Sequence, residues 1–319
     1  MNKKSLKVLY MGTPDFAVAP LDEIFKSNHQ IVGVVTVPDK PAGRGRKLME
    51  SAVKKYAVEN ELLVLQPSKM KDPDFLKVIK DLNPDVIVVV AFRLLPEEIW
   101  SLPQLGTFNL HASLLPQYRG AAPINFAIIN GDKESGVTTF FIDNKIDTGE
   151  ILLQSSLPIL DSDDAGTLHD KLMELGRGVV LETLNGLAAG TLEPKKQVLL
   201  ENVEYKYAPK IFKDDCEIDW NKSLIQINNL IKGLSPYPVA FTHWVSNDSS
   251  KILKIYKGLY TVEKHALPVG SVVVEGKALK IAASDGFYFP LLVQLEGKKV
   301  LSVSDFINGL TQKNNIKVR

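Results

Sequence analysis

Asn109 and His111 stand two positions apart in Thr107-Phe-Asn-Leu-His111, a short stretch that reads as a strand. Side chains two apart on a strand point to the same face. Asp147-Thr-Gly149 follows 36 residues after the histidine, at the end of another expected strand. Together these give a neutral hydrogen-bond donor, a titratable ring and a fixed negative charge. That set suits moving an acyl group between nitrogens. Such a transfer needs alignment of an amine with a carbonyl carbon, a donor for the oxyanion that develops and a route for protons. By itself Asn-x-His on a strand is a structural pair more often than a catalytic one. Asp-Thr-Gly alone also fits an aspartic protease, but that chemistry requires two carboxylates sharing a proton, and the chain has no second Asp-Thr/Ser-Gly.

The elements that must carry these residues alternate. Val8–Met11, Ile31–Val37, Leu62–Leu65, Asp85–Ala91, Thr107–His111 and Val137–Ile142 read as strands; the fourth (Asp-Val-Ile-Val-Val-Val-Ala) is apolar enough to be buried on both faces. Phe16–Phe25, Ser51–Asn60, Asp74–Asp81, Ile124–Ile129 and a long segment over Gly166–Ala188 read as helices. This alternation predicts an α/β fold with a Rossmann-like, mainly parallel sheet and ligands beyond the C-terminal ends of its strands. Gly12-Thr-Pro14 closes the first strand, but Gly-x-Gly-x-x-Gly is absent and Pro14 occupies the turn, which argues against a nicotinamide site.

Residues 190–206 are polar and unpatterned, and the pattern changes beyond them. After one helix (Leu224–Leu234) and a break at Ser235-Pro-Tyr-Pro238, short strands such as Lys254–Tyr256, Gly270–Val274 and Lys280–Ala282 alternate with turns. A short helix over Ser302–Leu310 follows. The division expected is a catalytic domain over 1–189, a linker over 190–206, and a smaller β-barrel domain of oligonucleotide-binding (OB-like) type over 207–319.

Composition excludes several classes. With 45% hydrophobic and 24% charged residues, the chain of 319 is long enough for one large domain or two medium ones and is not disordered. One cysteine (Cys216) rules out an internal disulfide framework, and with five scattered histidines it offers no metal cluster. No apolar run approaches the ~20 residues that span a bilayer. Met-Asn-Lys-Lys-Ser5 leads into an apolar run too short for a signal peptide, and no arginine-rich leader is present. The expectation is a soluble protein of a bacterial cytoplasm, acting as a monomer. The near-neutral total hides an asymmetry: residues 205–319 carry a balance of +6 and residues 1–204 one of −5. Between Asp39 and Lys47, Lys40, Arg44, Arg46 and Lys47 stand among Pro41, Gly43 and Gly45, which predicts an irregular basic loop. Both features point to a polyanionic partner.

Asn109-x-His111-x-Ser113-Leu-Leu-Pro116, Arg119-Gly-Ala-Ala-Pro123 and Asp147-Thr-Gly149 resemble the signature of the folate-dependent formyltransferases. Gly12-Thr-Pro-Asp-Phe16 and Pro38-Asp-Lys-Pro-Ala-Gly-Arg-Gly-Arg-Lys47 are similar to the branch of that family that acts on methionyl-tRNA. The resemblance extends to Ile218-Asp-Trp220 and Pro236-Tyr-Pro238. It implies transfer of formyl from 10-formyltetrahydrofolate, a cosubstrate used without a metal, to the methionine amino group of initiator methionyl-tRNA. It implies catalytic roles for Asn109, His111 and Asp147. Asn109 would donate to the oxyanion, His111 would share that task and carry protons, and Asp147 would orient and polarise His111. Ser113, Leu114, Leu115 and Pro116, with Phe92, Arg93 and Leu94, would line the folate site. Lys40, Arg44, Arg46 and Lys47 would clamp the tRNA acceptor end, with the basic second domain on the tRNA body. One departure stands out. Where many family members have a glycine after the aromatic, this chain reads Ala91-Phe-Arg93-Leu-Leu-Pro96, one residue shorter. An amino-sugar or small-amine formyltransferase remains an alternative, argued against by the basic loop. A noncatalytic RNA-binding relative is a second, argued against by the intact trio. Glycinamide-ribonucleotide transformylases are shorter and leave residues 205–319 unexplained.

Overall fold

The computed structural model describes residues 5–42, 47–246, 249–310 and 316–319. They gather into two compact units. The first takes Met1–Gly120, Glu134–Pro158 and His169–Tyr207; the second takes Ala121–Lys133, Ile159–Leu168 and Ala208–Arg319.

In the first unit, β1 (Lys7–Gly12) lies between β2 (Gln30–Val35) and, after the short strands β3 (Lys40–Ala42), β4 (Lys47–Met49) and β5 (Val64–Leu65), the fully buried β6 (Val86–Val90). β7 (Thr107–His111), β8 (Arg119–Gly120), β9 (Glu134–Phe141) and β10 (Ile151–Pro158) follow. The main sheet has the order β10-β9-β7-β6-β1-β2-β5. β6, β1, β2 and β5 are parallel, as are β6 and β7, while β9 runs antiparallel to both β7 and β10. Val86-Ile-Val-Val-Val90 explains the centre: β-branched residues buried on both faces, each worth about 1.5–3 kcal/mol of burial. Strand order reverses at β1, where β2 lies on one side and β6 on the other. A cleft is therefore expected beyond the C-terminal ends, at Gly12, Val90 and His111.

Helices begin where the sequence supplies caps. Ser51 accepts from Lys54 N–H at 3.0 Å to start α2 (Ala52–Glu59), which follows α1 (Val18–Phe25). Asp72 caps α3 (Pro73–Leu82), whose first residue is the proline suited to that position. α4 (Glu97–Trp100) is a single turn; α5 (Pro123–Ile129) belongs to the second unit, and α6 (Ala165–Ala189) is the longest helix described. Thr183 of α6 hydrogen-bonds Thr139 of β9 at 2.8 Å.

After β11 (Tyr207–Ala208), the second unit packs α5 against α7 (Leu224–Gly233), which opens on a Ser223/Gln226 capping box. β12 (Ala240–Ser246), β13 (Ser249–Val262), β14 (Val272–Glu275), β15 (Ala278–Ala283) and β16 (Gly286–Leu295) form an antiparallel sheet. β17 (Leu301–Ser302), α8 (Val303–Asn308) and β18 (Ile316–Val318) complete it. The order is β14-β15-β16-β13-β12-β18, and a bridge from Ser271 to Lys317 brings the two ends together into a nearly closed barrel. Trp220, Trp244, Tyr288 and Phe306 fill its interior with aliphatic side chains, and the Trp220 indole N–H donates to Thr242 at 3.0 Å. No helix among the described residues is long and apolar enough to cross a membrane.

The elements differ from the expectation in places. The loop expected over residues 39–47 holds β3 and leads into β4, paired from Lys40–Met49 to Ala42–Lys47. A two-stranded ribbon has free edges, so Pro41 is tolerated there without a lost ladder bond. β10 was not expected, because Gln-Ser-Ser in its middle breaks any apolar alternation; it is an edge strand, half exposed. β13 spans 14 residues where the sequence predicts short strands such as Lys254–Tyr256.

Asp22 ties three helices together. It accepts from Lys26 at 2.7 Å and from the Tyr56 hydroxyl at 2.9 Å, and Arg177 approaches to 3.6 Å. Burial alone would raise this carboxyl, but the hydrogen bonds from Lys26 and Tyr56 and the charges of Lys26 and Arg177 outweigh it and hold its pKa below the ordinary value. The stabilisation is therefore full above the unfolded value of about 3.9 and is lost as pH falls through the lower folded value. Asp22→Asn is expected to lower stability at pH 7 by about 1–2 kcal/mol. In urea unfolding at stepped pH, the gap from the parent should close below about pH 4.

Candidate active site

The first unit brings the three expected residues together. On β7, Phe108 and Leu110 are buried, while Asn109 is half-buried beside Val89 of β6 and Phe140 of β9. The Asn109 amide makes no hydrogen bond to another described residue, so its donors remain available. His111 is buried, and its Nε2 lies 2.8 Å from the carbonyl oxygen of Tyr118. A carbonyl only accepts, so Nε2 carries the proton and Nδ1 is the nitrogen turned toward Asp147, 3.8 Å from Oδ2. The same Oδ2 accepts the Gly120 N–H at 2.8 Å. Oriented ring, fixed carboxylate and unengaged amide thus converge at the C-terminal end of β7.

Asp147 lies on the loop between β9 and β10 in the left-handed region, φ +55°, which Asp tolerates better than most residues. Within the loop, Asp143 accepts from the Thr148 hydroxyl at 2.8 Å and from Lys145 N–H at 2.9 Å. Phe141 N–H donates to Glu150 O at 2.9 Å across its base. Gly149 is required by close approach, because a Cβ there would overlap the Phe141 carbonyl. The loop is also held from outside: Gln197 donates to Asp147 O at 3.1 Å and to Gly149 O at 2.8 Å. Gln197 lies in the segment expected to be a linker.

The two stretches expected to line the folate site are rigid in different ways. Ser113 and Leu115 are buried, and the Ser113 hydroxyl donates to Gln117 O at 2.6 Å; Leu114 and Pro116 are the half-buried members. Thr138 of β9 bolts this loop down. Its hydroxyl donates to Ser113 O at 2.6 Å and accepts from Leu115 N–H at 3.1 Å and from Gln154 at 2.9 Å. Leu114 packs into space left by Gly136. In the loop after β6, Phe92 packs on the core, Leu94 is exposed, and Arg93 stacks over the Phe92 ring. Arg93 donates to Pro67 O at 2.5 Å and Ser68 O at 3.3 Å, and burial lowers its guanidinium pKa. Lys40 is exposed on β3, and Lys47 begins β4; Arg44, Arg46 and the Lys47 side chain lie outside the described residues.

Sequence reasoning assigned no part to Tyr118 O, Gly120 N–H, Thr138 or Gln197. Thr138 was detectable as a hydroxyl inside a buried strand. A backbone carbonyl and N–H carry no sequence signal, and Gln197 sits in a run without pattern.

Fold and site define a formyl transferase. Residues 4–184 match the family model described as formyl transferase, and 210–311 match the one for the formyl transferase C-terminal domain. The chain is similar to proteins named methionyl-tRNA formyltransferase from Bacteroides thetaiotaomicron (48% identical, all of both chains) and Parabacteroides distasonis (50%, 98% of both). The chain belongs to the methionyl-tRNA formyltransferase family. Among solved structures, its fold is similar to WlaRD, described as a sugar 3N-formyl transferase, with TM-score 0.63 and 22% identity over 92% of this chain and 99% of that one. It is also similar to HypX from Aquifex aeolicus in complex with tetrahydrofolic acid, with TM-score 0.64 and 16% identity over 98% of this chain and 50% of that one.

Thr138→Val keeps shape and removes the bolt, leaving Ser113 O and Leu115 N–H without their partner. Stability is expected to fall by about 1–3 kcal/mol in denaturant unfolding. Hydrogen exchange should quicken over residues 113–117 and stay unchanged in β6.

Proposed function

We propose that this chain transfers the formyl group of 10-formyltetrahydrofolate to the α-amino group of methionine on initiator methionyl-tRNA, as a monomer in a bacterial cytoplasm. The observation that carries the reading is the convergence of Asn109, His111 and Asp147, in a chain about half identical, end to end, to proteins named for that reaction.

The formyl donor supplies an electrophilic carbon and a nitrogen leaving group. An uncommitted amide beside an oriented imidazole fits such a carbonyl. Asn109 offers N–H donors to the oxygen that gains negative charge, from a half-buried position where a fixed donor is worth more than in open water. Tyr118 O keeps the His111 proton on Nε2, so Nδ1 faces the reacting region and exchanges protons there. Asp147 stabilises a proton on that nitrogen and, through water, relays the one released by the amine to the folate nitrogen that leaves. No covalent enzyme intermediate is needed, because the amine itself is the nucleophile. Leu114, Pro116 and Phe92, with the backbone of the loops that hold them, would contact the folate. The buried Ser113 and Leu115 and the braced Arg93 would fix the shape of those loops, and Leu94 lies at the rim. Lys40, Arg44, Arg46 and Lys47 would meet tRNA phosphates.

Transfer from labelled 10-formyltetrahydrofolate should be followed to initiator methionyl-tRNA, elongator methionyl-tRNA and nucleotide-linked amino sugars. Formylation confined to the initiator tRNA is expected; formylation of the sugar alone would establish the alternative reading. Asn109→Ala should lower kcat by about 10²–10³ with the protein still folded. Arg44→Ala should lower kcat/KM for the tRNA and flatten its dependence on salt by about one charge, leaving KM for the formyl donor unchanged.

A further inference from the structure

Gln197 uses its whole hydrogen-bonding capacity around Asp147. Its Nε2 donates to Asp147 O at 3.1 Å and Gly149 O at 2.8 Å, while its Oε1 accepts from Arg119 Nε at 3.2 Å and Nη2 at 2.7 Å. Two donors and one carbonyl are all that a glutamine side chain has. Its orientation is not interchangeable, because a flipped amide would set N–H groups against the guanidinium and oxygen against two carbonyls. Glutamate lacks the donors, and asparagine is one methylene shorter. The side chain arrives there because Lys195 pairs antiparallel with Ile151, both backbone bonds being 2.8 Å, which lays residues 195–197 beside the start of β10.

The arrangement closes on itself. Arg119 grips Gln197, Gln197 grips the backbone of Asp147, and the N–H of the next residue, Gly120, donates to the Asp147 carboxylate at 2.8 Å. The short β8 segment therefore fixes the aspartate at its carbonyl and at its carboxylate together, and Tyr118, one residue earlier, fixes His111. Without the Gln197 tie, the left-handed Asp147 would be held only by the loop's internal bonds and Gly120. We infer that Gln197 is a positioning residue: it sets Asp147 against His111 through the Arg119–Gln197 clamp and touches no reacting atom. The inference rests on the reaction proposed above.

The experiment compares Gln197→Ala, Gln197→Glu, Asp147→Asn and the Gln197→Ala/Asp147→Asn double variant, each full length. Gln197→Ala is expected to lower kcat by about 10–100-fold, as a misplaced catalytic group does, with KM for both substrates within about threefold. Gln197→Glu keeps the Arg119 pairing and loses donation, so it should be as slow; it also serves if the alanine variant folds poorly. Since Gln197 acts through Asp147, the double variant should be no slower than Asp147→Asn. In the free protein, hydrogen exchange over residues 143–150 should quicken at least about tenfold in both Gln197 variants, with β6 and β7 unchanged. Unchanged kcat in both variants, losses that multiply in the double variant, or unchanged exchange over 143–150 would each overturn the inference. If the parent does not formylate methionyl-tRNA, the reaction assignment fails instead, and the exchange measurement still decides whether the clamp exists.

Discussion

The bond from Gly120 N–H to Asp147 Oδ2 is the constraint around which the candidate site is built. A carboxylate shielded from water must find donors inside the protein or lose its charge. A backbone N–H facing an ionised oxygen is a strong and directional donor. Meeting it requires two loops from different parts of the chain to approach closely. Tyr118 at φ +59° and Asp147 at φ +55° lie in the left-handed region that non-glycine residues seldom adopt, and Gly120 at φ +126° uses a conformation open to glycine. Such residues persist only where surrounding contacts over-determine them. Here those contacts are Thr148 and Lys145 on Asp143, the Gln197 amide on two carbonyls and the Tyr118 carbonyl on His111.

The same constraint gives the histidine its sidedness. Imidazole in a strand could present either nitrogen to a substrate. A carbonyl at Nε2 removes that freedom, since the proton must sit there for the contact to be favourable. The carboxylate on the other side then acts on Nδ1 alone, at 3.8 Å, close enough for electrostatic influence and too long for a direct hydrogen bond. Asn109, two residues earlier on the same strand face, shares the rigidity of β7, which lies between β6 and β9.

Legibility in the sequence followed how local each cause is. Val86–Val90 announces a buried strand from its own composition, and Asp74–Asp81 reads as a helix from its own spacing. The alternation of such elements was enough to predict the parallel sheet, and residue types and spacing marked Asn109, His111 and Asp147. β10 was illegible because an edge strand needs little apolar content, and the β3–β4 ribbon because its pairing runs through Lys40–Ala42 and Lys47–Met49 against proline and glycine signals. Gln197 was illegible for a different reason. Its partners are a side chain 78 residues away and carbonyl groups 48 and 50 residues away, and polar composition alone reads as a linker.

Arg93 shows how a departure from a family pattern can be accommodated physically. A glycine in such a loop gives the backbone freedom to approach a ligand, and the shortened Ala91-Phe-Arg93-Leu-Leu-Pro96 forgoes that freedom. The chain instead enters the loop through Ala91 at φ +47° and then braces it by a side chain. The guanidinium of Arg93 donates to the carbonyls of Pro67 and Ser68, in the loop after β5, and lies over the Phe92 ring 5.5 Å from its centroid. Two carbonyls and a ring face offset much of the cost of partly burying a cation. The buried Nε of Arg93 has no partner among the described residues, so the brace is incomplete. Arg93 thus gives up backbone freedom in this loop for a tie between the loops that follow β5 and β6.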